Sequence, residues 1–186
     1  MDRVRRRIQV TGVVQGVGFR PFVYRTAVEI GLGGFVRNDG GGVTIEAEGS
    51  GEALRRFERR LREALPPLAR IDTLVSEEIG VRDERSFRIV ASGSAEEKRT
   101  AVGPDTTLCG NCIEEMYDPR NRRYRHPFIN CTDCGPRYTI TLTVPYDRPN
   151  TSMAKFEMCE RCRAEYEDPK NRRYHAQPIS CRECGP

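Results

Sequence analysis

The sequence of 186 residues contains no apolar run that could cross a membrane, which takes about 20 consecutive apolar residues. Its first seven residues are basic, but no apolar segment with a small-residue cleavage site follows them. We therefore expect no secretory signal. These two absences predict a cytoplasmic protein without a membrane anchor.

The chain also lacks a strongly basic half. Residues 1–91 carry 16 basic and 13 acidic side chains, and residues 92–186 carry 15 and 14. If eight thiolates bound two zinc ions, the second half would change from a net charge of +1 to −3. A surface that binds the nucleic-acid backbone is normally basic, so nucleic acid is not an expected partner.

Residues 1–91 have the pattern of a small α+β domain. One helical pattern begins at Pro21 and stops at Gly31, and a second lies between Ser50 and Pro66. Strand patterns occur at 4–13, 34–38, 43–48, 73–79 and, as a short fifth strand, 86–90. The order βαββαβ predicts a ferredoxin-like fold, an antiparallel sheet with two helices on one face.

After a predicted linker at 92–104, residues 105–186 form an internal repeat displaced by 50 residues. The segment CGNCIEEMYDPRNRRY corresponds to CERCRAEYEDPKNRRY, and INCTDCGP corresponds to ISCRECGP. Apolar residues are few and no long periodic element appears in this part. A hydrophobic core alone would not hold units of this kind, so bound metal is the expected support.

The eight cysteines form four CxxC pairs, and eighteen residues separate the two pairs of each copy. Two such pairs complete the Cys₄ shell of a structural zinc ion, which leaves no open position for catalysis. A disulfide framework or redox-active pairs are the alternative, disfavoured because cytosolic thiols are kept reduced. We predict two structural zinc ions, one at Cys109, Cys112, Cys131 and Cys134 (109–134) and one at Cys159, Cys162, Cys181 and Cys184 (159–184).

The two histidines, His126 and His175, lie at different offsets in the two copies. Because each predicted shell already has four sulfur atoms, we expect neither histidine to be a zinc ligand. Their roles stay open, and a substrate or partner role for His175 stands beside a structural one.

The loop in VVQGVGFRPF lies between the first strand and the first helix. Gly16 and Gly18 allow successive backbone N–H groups to point into one cavity at a helix N-terminus, which suits an anion. Arg20 would add a permanently charged contact. Asn38, at the end of the second strand, could orient a water molecule, although an asparagine there is also typical of a turn.

The segments VVQGVGFR and GFVRN resemble the two signatures of the acylphosphatases. That resemblance implies an acylphosphatase sandwich in which Arg20 and Asn38 occupy the catalytic positions. The Arg20 guanidinium would bind phosphate, and Asn38 would position the water that attacks phosphorus. The backbone amides that would complete the phosphate site belong to Gln15, Gly16, Val17, Gly18, Phe19 and Arg20.

Longer segments resemble the HypF family of NiFe-hydrogenase maturation carbamoyltransferases: GVGFRPF, PPLARID, NRRYRHPFINCTDCGPRYTI, PYDRP and NRRYHAQPISCRECGP. The resemblance implies that carbamoyl phosphate is split at the acylphosphatase-like domain and that the carbamate is activated with ATP in a later domain. The carbamoyl group would then pass to the C-terminal cysteine of a partner maturation protein and become a cyanide ligand of the metal centre. The adenylating and transferring domains of the family would follow Pro186, so we interpret the chain as a fragment that keeps phosphate release but cannot complete carbamoyl transfer.

Two other functions remain open at this point. A stand-alone acylphosphatase with a structural zinc region would hydrolyse acyl phosphates in general, and substrate preference would distinguish it. A zinc module that binds nucleic acid or unfolded protein is the second alternative. The near-neutral charge and the lack of CxxCxGxG repeats stand against the latter.

Overall fold

The structure is a computed structural model that describes residues 3–91, 103–181 and 183. Most of the predicted linker, 92–102, therefore lies outside the described residues, as does Cys184. The division into domains at 91 and 105 stays a prediction.

The first part of the chain folds into a five-stranded sheet with two helices. Ser50 caps the second helix by accepting a hydrogen bond from the backbone N–H of Ala53 at 3.2 Å. Gly18 and Gly31 flank the first helix in the left-handed conformation. In chain order the elements are β1 Arg3–Val13, α1 Phe19–Ile30, β2 Gly33–Asp39, β3 Gly42–Ser50, α2 Gly51–Glu63, β4 Arg70–Ile79 and β5 Phe87–Ile89.

The strands lie in the order β4-β1-β3-β2-β5, and the core forms between the sheet and the two helices. Leu54, Phe57 and Leu61 of α2 are fully buried, as their helical spacing predicts. One feature differs from the predicted antiparallel sheet: β5 pairs parallel with β2. The chain crosses from β4, at one edge, to the far edge and enters beside β2 in the same direction.

The predicted boundaries shift at two places. The first helix begins at Phe19 rather than at Pro21, and proline is tolerated in the first turn because the N–H groups there have no partner within the helix. The fourth strand begins at Arg70 instead of residue 73, since β1 is long enough to pair with it from Arg5 to Val13.

The described residues of the cysteine-rich part form two short helices and several single 3₁₀ turns. Helices α3 Gly110–Tyr117 and α4 Glu160–Glu167 each follow the first cysteine of a repeat copy. Each copy has its own small buried cluster of cysteines and a few apolar residues. The cluster of the first copy includes Ile129, and the cluster of the second copy includes Ile179. Within the described part of the chain, no helix is both long and apolar enough to span a membrane.

Candidate functional site

The loop between β1 and α1 has the backbone conformation that its glycines allow. Gly16 and Gly18 have φ angles of 74° and 75°, in the left-handed region that side chains disfavour. Gly18 is also the N-cap of α1. The first N–H groups of a helix have no partner within it and favour an anion, so this loop can hold a phosphate group.

The side chain of Gln15 fastens the loop to the β2–β3 hairpin. Its Nε2 donates to the backbone carbonyls of Asp39 at 2.9 Å and Gly42 at 2.8 Å. Its Oε1 accepts from the backbone N–H of Tyr146 at 3.2 Å. Gln15 therefore joins three segments, a role beyond the backbone contact that the sequence predicted for it.

Asn38 lies in that hairpin with its side chain completely buried. Among the described residues, neither its Oδ1 nor its Nδ2 has a hydrogen-bond partner. A buried amide without partners costs roughly 1–3 kcal/mol, so native structures rarely leave one unsatisfied. An amide of this kind fits a residue that holds a small polar ligand.

Arg20 is 7 % exposed, and its Nη2 forms an ion pair with Oδ1 of Asp147. Asp147 comes from the cysteine-rich part, so both parts of the chain contribute to the surroundings of the predicted site. Sequence reasoning did not single out Asp147, although it stands in the PYDRP segment. The only local signal was that Asp147 is a charged residue in a segment without helical or strand periodicity.

His175 lies beside Arg20, and the two side chains line the same cavity of about 360 Å³ together with Asp147 and Tyr166. Burial and the Arg20 charge lower the pKa of His175 to about 4, against an opposing effect of Asp147. His175 is therefore neutral near pH 7. A smaller cavity of about 20 Å³ lies between the loop and Tyr146, with room for about one water molecule.

Four cysteines of the first repeat copy lie together as predicted from their spacing: Cys109, Cys112, Cys131 and Cys134. Neighbouring Sγ atoms are 3.5 Å apart (109 to 131), 3.9 Å (131 to 134) and 3.6 Å (134 to 112). A disulfide would require about 2.05 Å. Tetrahedral zinc with Zn–S bonds of about 2.3 Å places its sulfurs about 3.8 Å apart, and the observed separations fit that shell.

The negative charge that four ionised thiols would carry also requires a nearby cation. The neighbouring Cys112 and Cys134 thiols, together with burial, raise the pKa of Cys131. Four thiols at these distances cannot all ionise side by side unless a positive ion lies among them. This donor set suits zinc.

In the second copy, the structure brings Cys159, Cys162 and Cys181 together, and the Sγ atoms of Cys159 and Cys181 are 3.5 Å apart. The fourth predicted ligand, Cys184, lies outside the described residues. Neither histidine belongs to these clusters. The Nε2 of His126 instead lies 3.3 Å from the Ser180 hydroxyl.

Two family descriptions match the chain. Residues 6–89 match Acylphosphatase, and residues 108–141 and 158–186 match HypF finger. These matches agree with the α+β sheet and the cysteine clusters and confirm the predicted fold class.

Similar proteins include HypF carbamoyltransferases and acylphosphatases. Carbamoyltransferase HypF2 of Cupriavidus necator is 57 % identical over 155 residues, which are 82 % of this chain and 19 % of that protein. Acylphosphatase of Thermotoga petrophila is 43 % identical over 84 residues, which are 45 % of this chain and 92 % of that protein. The chain thus spans about a fifth of the length of the carbamoyltransferases it matches.

A crystal structure of full-length HypF in the phosphate- and nucleotide-bound form superposes with a TM-score of 0.95 at 46 % identity. The match covers 99 % of this chain and 24 % of that one. The likeness therefore includes the placement of the cysteine-rich part against the sheet.

Proposed function

The chain belongs to the acylphosphatase family through residues 6–89 and corresponds, with its HypF fingers, to the N-terminal part of the HypF carbamoyltransferases, and from this premise we propose that it hydrolyses carbamoyl phosphate to carbamate and phosphate. The observation that carries the proposal is the pairing of a glycine loop and a buried Arg20 with a buried Asn38 amide that has no hydrogen-bond partner among the described residues. Such a site can bind an anion and orient a water molecule, and it needs no side chain that acts as a general base.

The phosphate group binds in the loop formed by residues 15–20. Backbone N–H groups and the Arg20 guanidinium hold its charge, which is the contribution that a fixed set of donors makes in phosphoryl transfer. Asp147 accepts from Nη2 of Arg20 and so fixes the orientation of the guanidinium. Gln15 keeps the loop against the hairpin that carries Asn38.

Hydrolysis needs a water molecule in line with the bond that breaks. The Asn38 amide holds this water beside phosphorus. The water oxygen bonds to phosphorus while the bond from phosphorus to the carbamoyl oxygen breaks, and its electron pair stays on the carbamate. The proton of the water leaves with the phosphate product.

Two zinc ions, held by the four-cysteine sets 109–134 and 159–184, have a structural role in this proposal. When bound, each zinc supplies a fixed tetrahedral link between distant CxxC pairs. The first set borders the phosphate loop, because a Cβ atom placed on Gly18 would lie 3.2 Å from Cβ of Thr132. Folding of the cysteine-rich part thereby positions Asp147 and Tyr146.

On family grounds, we also assign the carbamate to an onward path of activation with ATP and transfer to the C-terminal cysteine of a hydrogenase maturation partner. These steps belong to parts of the relatives that this chain does not span. The carbamate is then an intermediate for the hydrogenase cyanide ligand.

The test is phosphate release from carbamoyl phosphate by the zinc-loaded chain and its Arg20→Ala and Asn38→Ala variants. Each variant should lose at least about 100-fold in rate, the usual cost of removing a donor that stabilises the transition state. The exposed Arg59→Ala variant is the matched control, since its side chain is 66 % exposed on α2, and it should retain the wild-type rate.

Acetyl phosphate serves as the comparison substrate. A preference for carbamoyl phosphate supports the maturation role, whereas equal turnover would favour a general acylphosphatase. Full activity in folded Arg20→Ala or Asn38→Ala protein would refute the assigned site. Absence of turnover by folded, zinc-loaded wild-type protein would refute hydrolysis by this chain.

A further inference from the structure

The two repeat copies face each other through residues that are 50 positions apart. Nη2 of Arg123 lies 2.5 Å from Oε2 of Glu165, and Nη2 of Arg173 lies 2.5 Å from Oε2 of Glu115. The second pair is the first with the copies exchanged. Reciprocal contacts of this kind are typical of an approximate twofold arrangement.

The same exchange brings an arginine of each copy to the cysteines of the other. Nη1 of Arg172 donates to Sγ of Cys112 at 3.1 Å and lies 3.7 Å from Sγ of Cys109. In the opposite direction, Nη2 of Arg122 donates to Sγ of Cys162 at 3.4 Å. Each arginine is thus remote in sequence from the cluster that it contacts.

Helical spacing explains how the arginines are held. Glu115 follows Cys112 by three residues on α3, so both side chains lie on one face, and Nη2 of Arg172 is 2.7 Å from Oε2 of Glu115. Glu165 and Cys162 repeat this spacing on α4, where Nη2 of Arg122 is 2.9 Å from Oε2 of Glu165. A carboxylate therefore orients each guanidinium beside a ligand sulfur.

The backbone of Arg172 is fixed to the first copy as well. Its carbonyl accepts from the N–H of Thr132 at 3.1 Å and from the Thr132 hydroxyl at 2.9 Å. Thr132 lies between Cys131 and Cys134. The Arg172 main chain and side chain therefore both support the first cluster.

The physical effect of these contacts follows from the charge of a metal site with four thiolates. Such a site carries a net charge of −2 with zinc bound, and hydrogen bonds from outside the ligand shell orient and stabilise the ligands. Guanidinium is permanently charged and can bind a carboxylate and a sulfur at the same time. The position of each arginine matters more for the opposite copy than for its own.

We propose that Arg122 and Arg172 are crosswise positioning residues, each of which stabilises zinc binding by the other repeat copy. The inference rests on the zinc occupancy in the proposed function, but not on phosphate chemistry. It explains why the arginines of NRRY occur in both copies.

Cadmium-113 NMR of the whole chain tests this proposal, because each four-sulfur site gives its own signal. Cys109→Ser and Cys159→Ser variants assign the signals, and a competing chelator then measures metal loss site by site. Arg172→Ala should weaken the site of Cys109 about 10–100-fold and change the site of Cys159 much less. Arg122→Ala should show the reverse pattern.

Lys170→Ala is the matched control, since it removes an exposed cation two residues from Arg172, and neither site should change more than about 2-fold. Arg172→Lys keeps the positive charge but lacks the planar guanidinium that binds two partners at once, so it should give a smaller loss of metal affinity at the same site. Equal weakening of both sites, or stronger weakening within the arginine's own copy, would overturn the proposal. Two bound metal ions per wild-type chain, measured separately, verify the occupancy on which the test depends.

Discussion

His175 is half-buried, and its position makes the stability of the fold sensitive to pH. Tyr174 packs edge-on against its ring at a centroid distance of 4.5 Å, and the ring centroid of Tyr166 lies 5.1 Å away at an interplanar angle of 31°. His175 and Arg20 line the same cavity, so the permanent positive charge of the guanidinium lies close to the imidazole. Removal from water disfavours the charged imidazole, and the Arg20 charge disfavours it further, which is why the pKa of His175 falls from 6.5 to about 4.

This lowered pKa predicts a pH effect on stability. Between pH 6.5 and about 4 the unfolded chain binds a proton at His175 that the folded chain does not, so the free energy of unfolding falls as pH falls through this window. Above pH 6.5 the histidine contributes no pH dependence. His175→Gln should lose this component, which is at most about 1.4 kcal/mol per pH unit.

The measurement is urea unfolding of both proteins at pH 5.0, 6.0 and 7.0 with excess zinc. The two curves of unfolding free energy against pH should converge at low pH if the wild type is the more stable protein at pH 7. Because both proteins have the same cysteines, loss of metal in acid affects them alike. Parallel curves would show that His175 is accessible to protons in the folded state.

At the scale of elements, the β1–α1 loop is held between the sheet and the cysteine-rich part. A Cβ atom on Gly16 would lie 2.6 Å from Cβ of Pro136 and 2.9 Å from Cδ1 of Tyr146. Real Cβ atoms do not approach so closely. The loop therefore needs glycine at this position for its surroundings as well as for its φ angle.

Gly16→Ala should lower the free energy of unfolding by about 1–3 kcal/mol more than Gly31→Ala, because overpacking adds to backbone strain. Gly31 is the matched control, with a φ angle of 82° and no atom of another described residue within 4 Å of an added Cβ, its chain neighbours aside. Strain in the left-handed region, about 1–2 kcal/mol, is then common to both variants. Chemical denaturation with the zinc sites saturated gives the comparison. Equal losses of unfolding free energy would mean that Pro136 and Tyr146 move away from the added methyl group without cost.

The regular elements were largely predictable because their signals are local. Periodic apolar residues, Ser50 before α2 and the glycine-rich turn after β2 depend on neighbouring positions alone. The burial of Arg5 was not predictable in this way. Its guanidinium is fully buried and contacts Glu46, Glu48 and Glu84, partners that only the sheet brings together.

The candidate site follows the same division. The loop, Arg20 and Asn38 were accessible from the sequence because they belong to short motifs. The contacts of Asp147 with Arg20 and of Tyr146 with Gln15 join positions more than 120 residues apart. Charge pairing over such a distance has no periodic or motif signal, so one sequence could not predict which side chain Arg20 would meet.

The whole molecule combines two parts that are stabilised differently. The sheet and its helices bury a continuous apolar core that includes Ile8, Val23, Ile45 and Phe57. The clusters of the cysteine-rich part are small, and cysteines make up much of each. Little apolar surface is then available to offset the entropy of ordering the second part.

Zinc removal should therefore unfold the cysteine-rich part and leave the sheet and its helices folded. Chelation at neutral pH is expected to abolish amide protection in the cysteine-rich part while the strands β1 and β3 keep theirs, because metal binding supplies the folding free energy of such small units. Hydrogen exchange read by mass spectrometry distinguishes the two sets of peptides. Restoring zinc should restore protection in residues 103–181.

The same experiment shows how far the phosphate loop depends on the cysteine-rich part. Without zinc, Arg20 should lose the ion pair with Asp147, and the loop should lose its contacts with Tyr146 and Pro136. Peptides of residues 14–20 are then expected to exchange faster, whereas those of α2 stay protected, since the buried side chains of α2 belong to the apolar core of the sheet. Loss of protection throughout the sheet would instead mean that the chain unfolds as one cooperative unit and that the apolar core cannot stand without the metal.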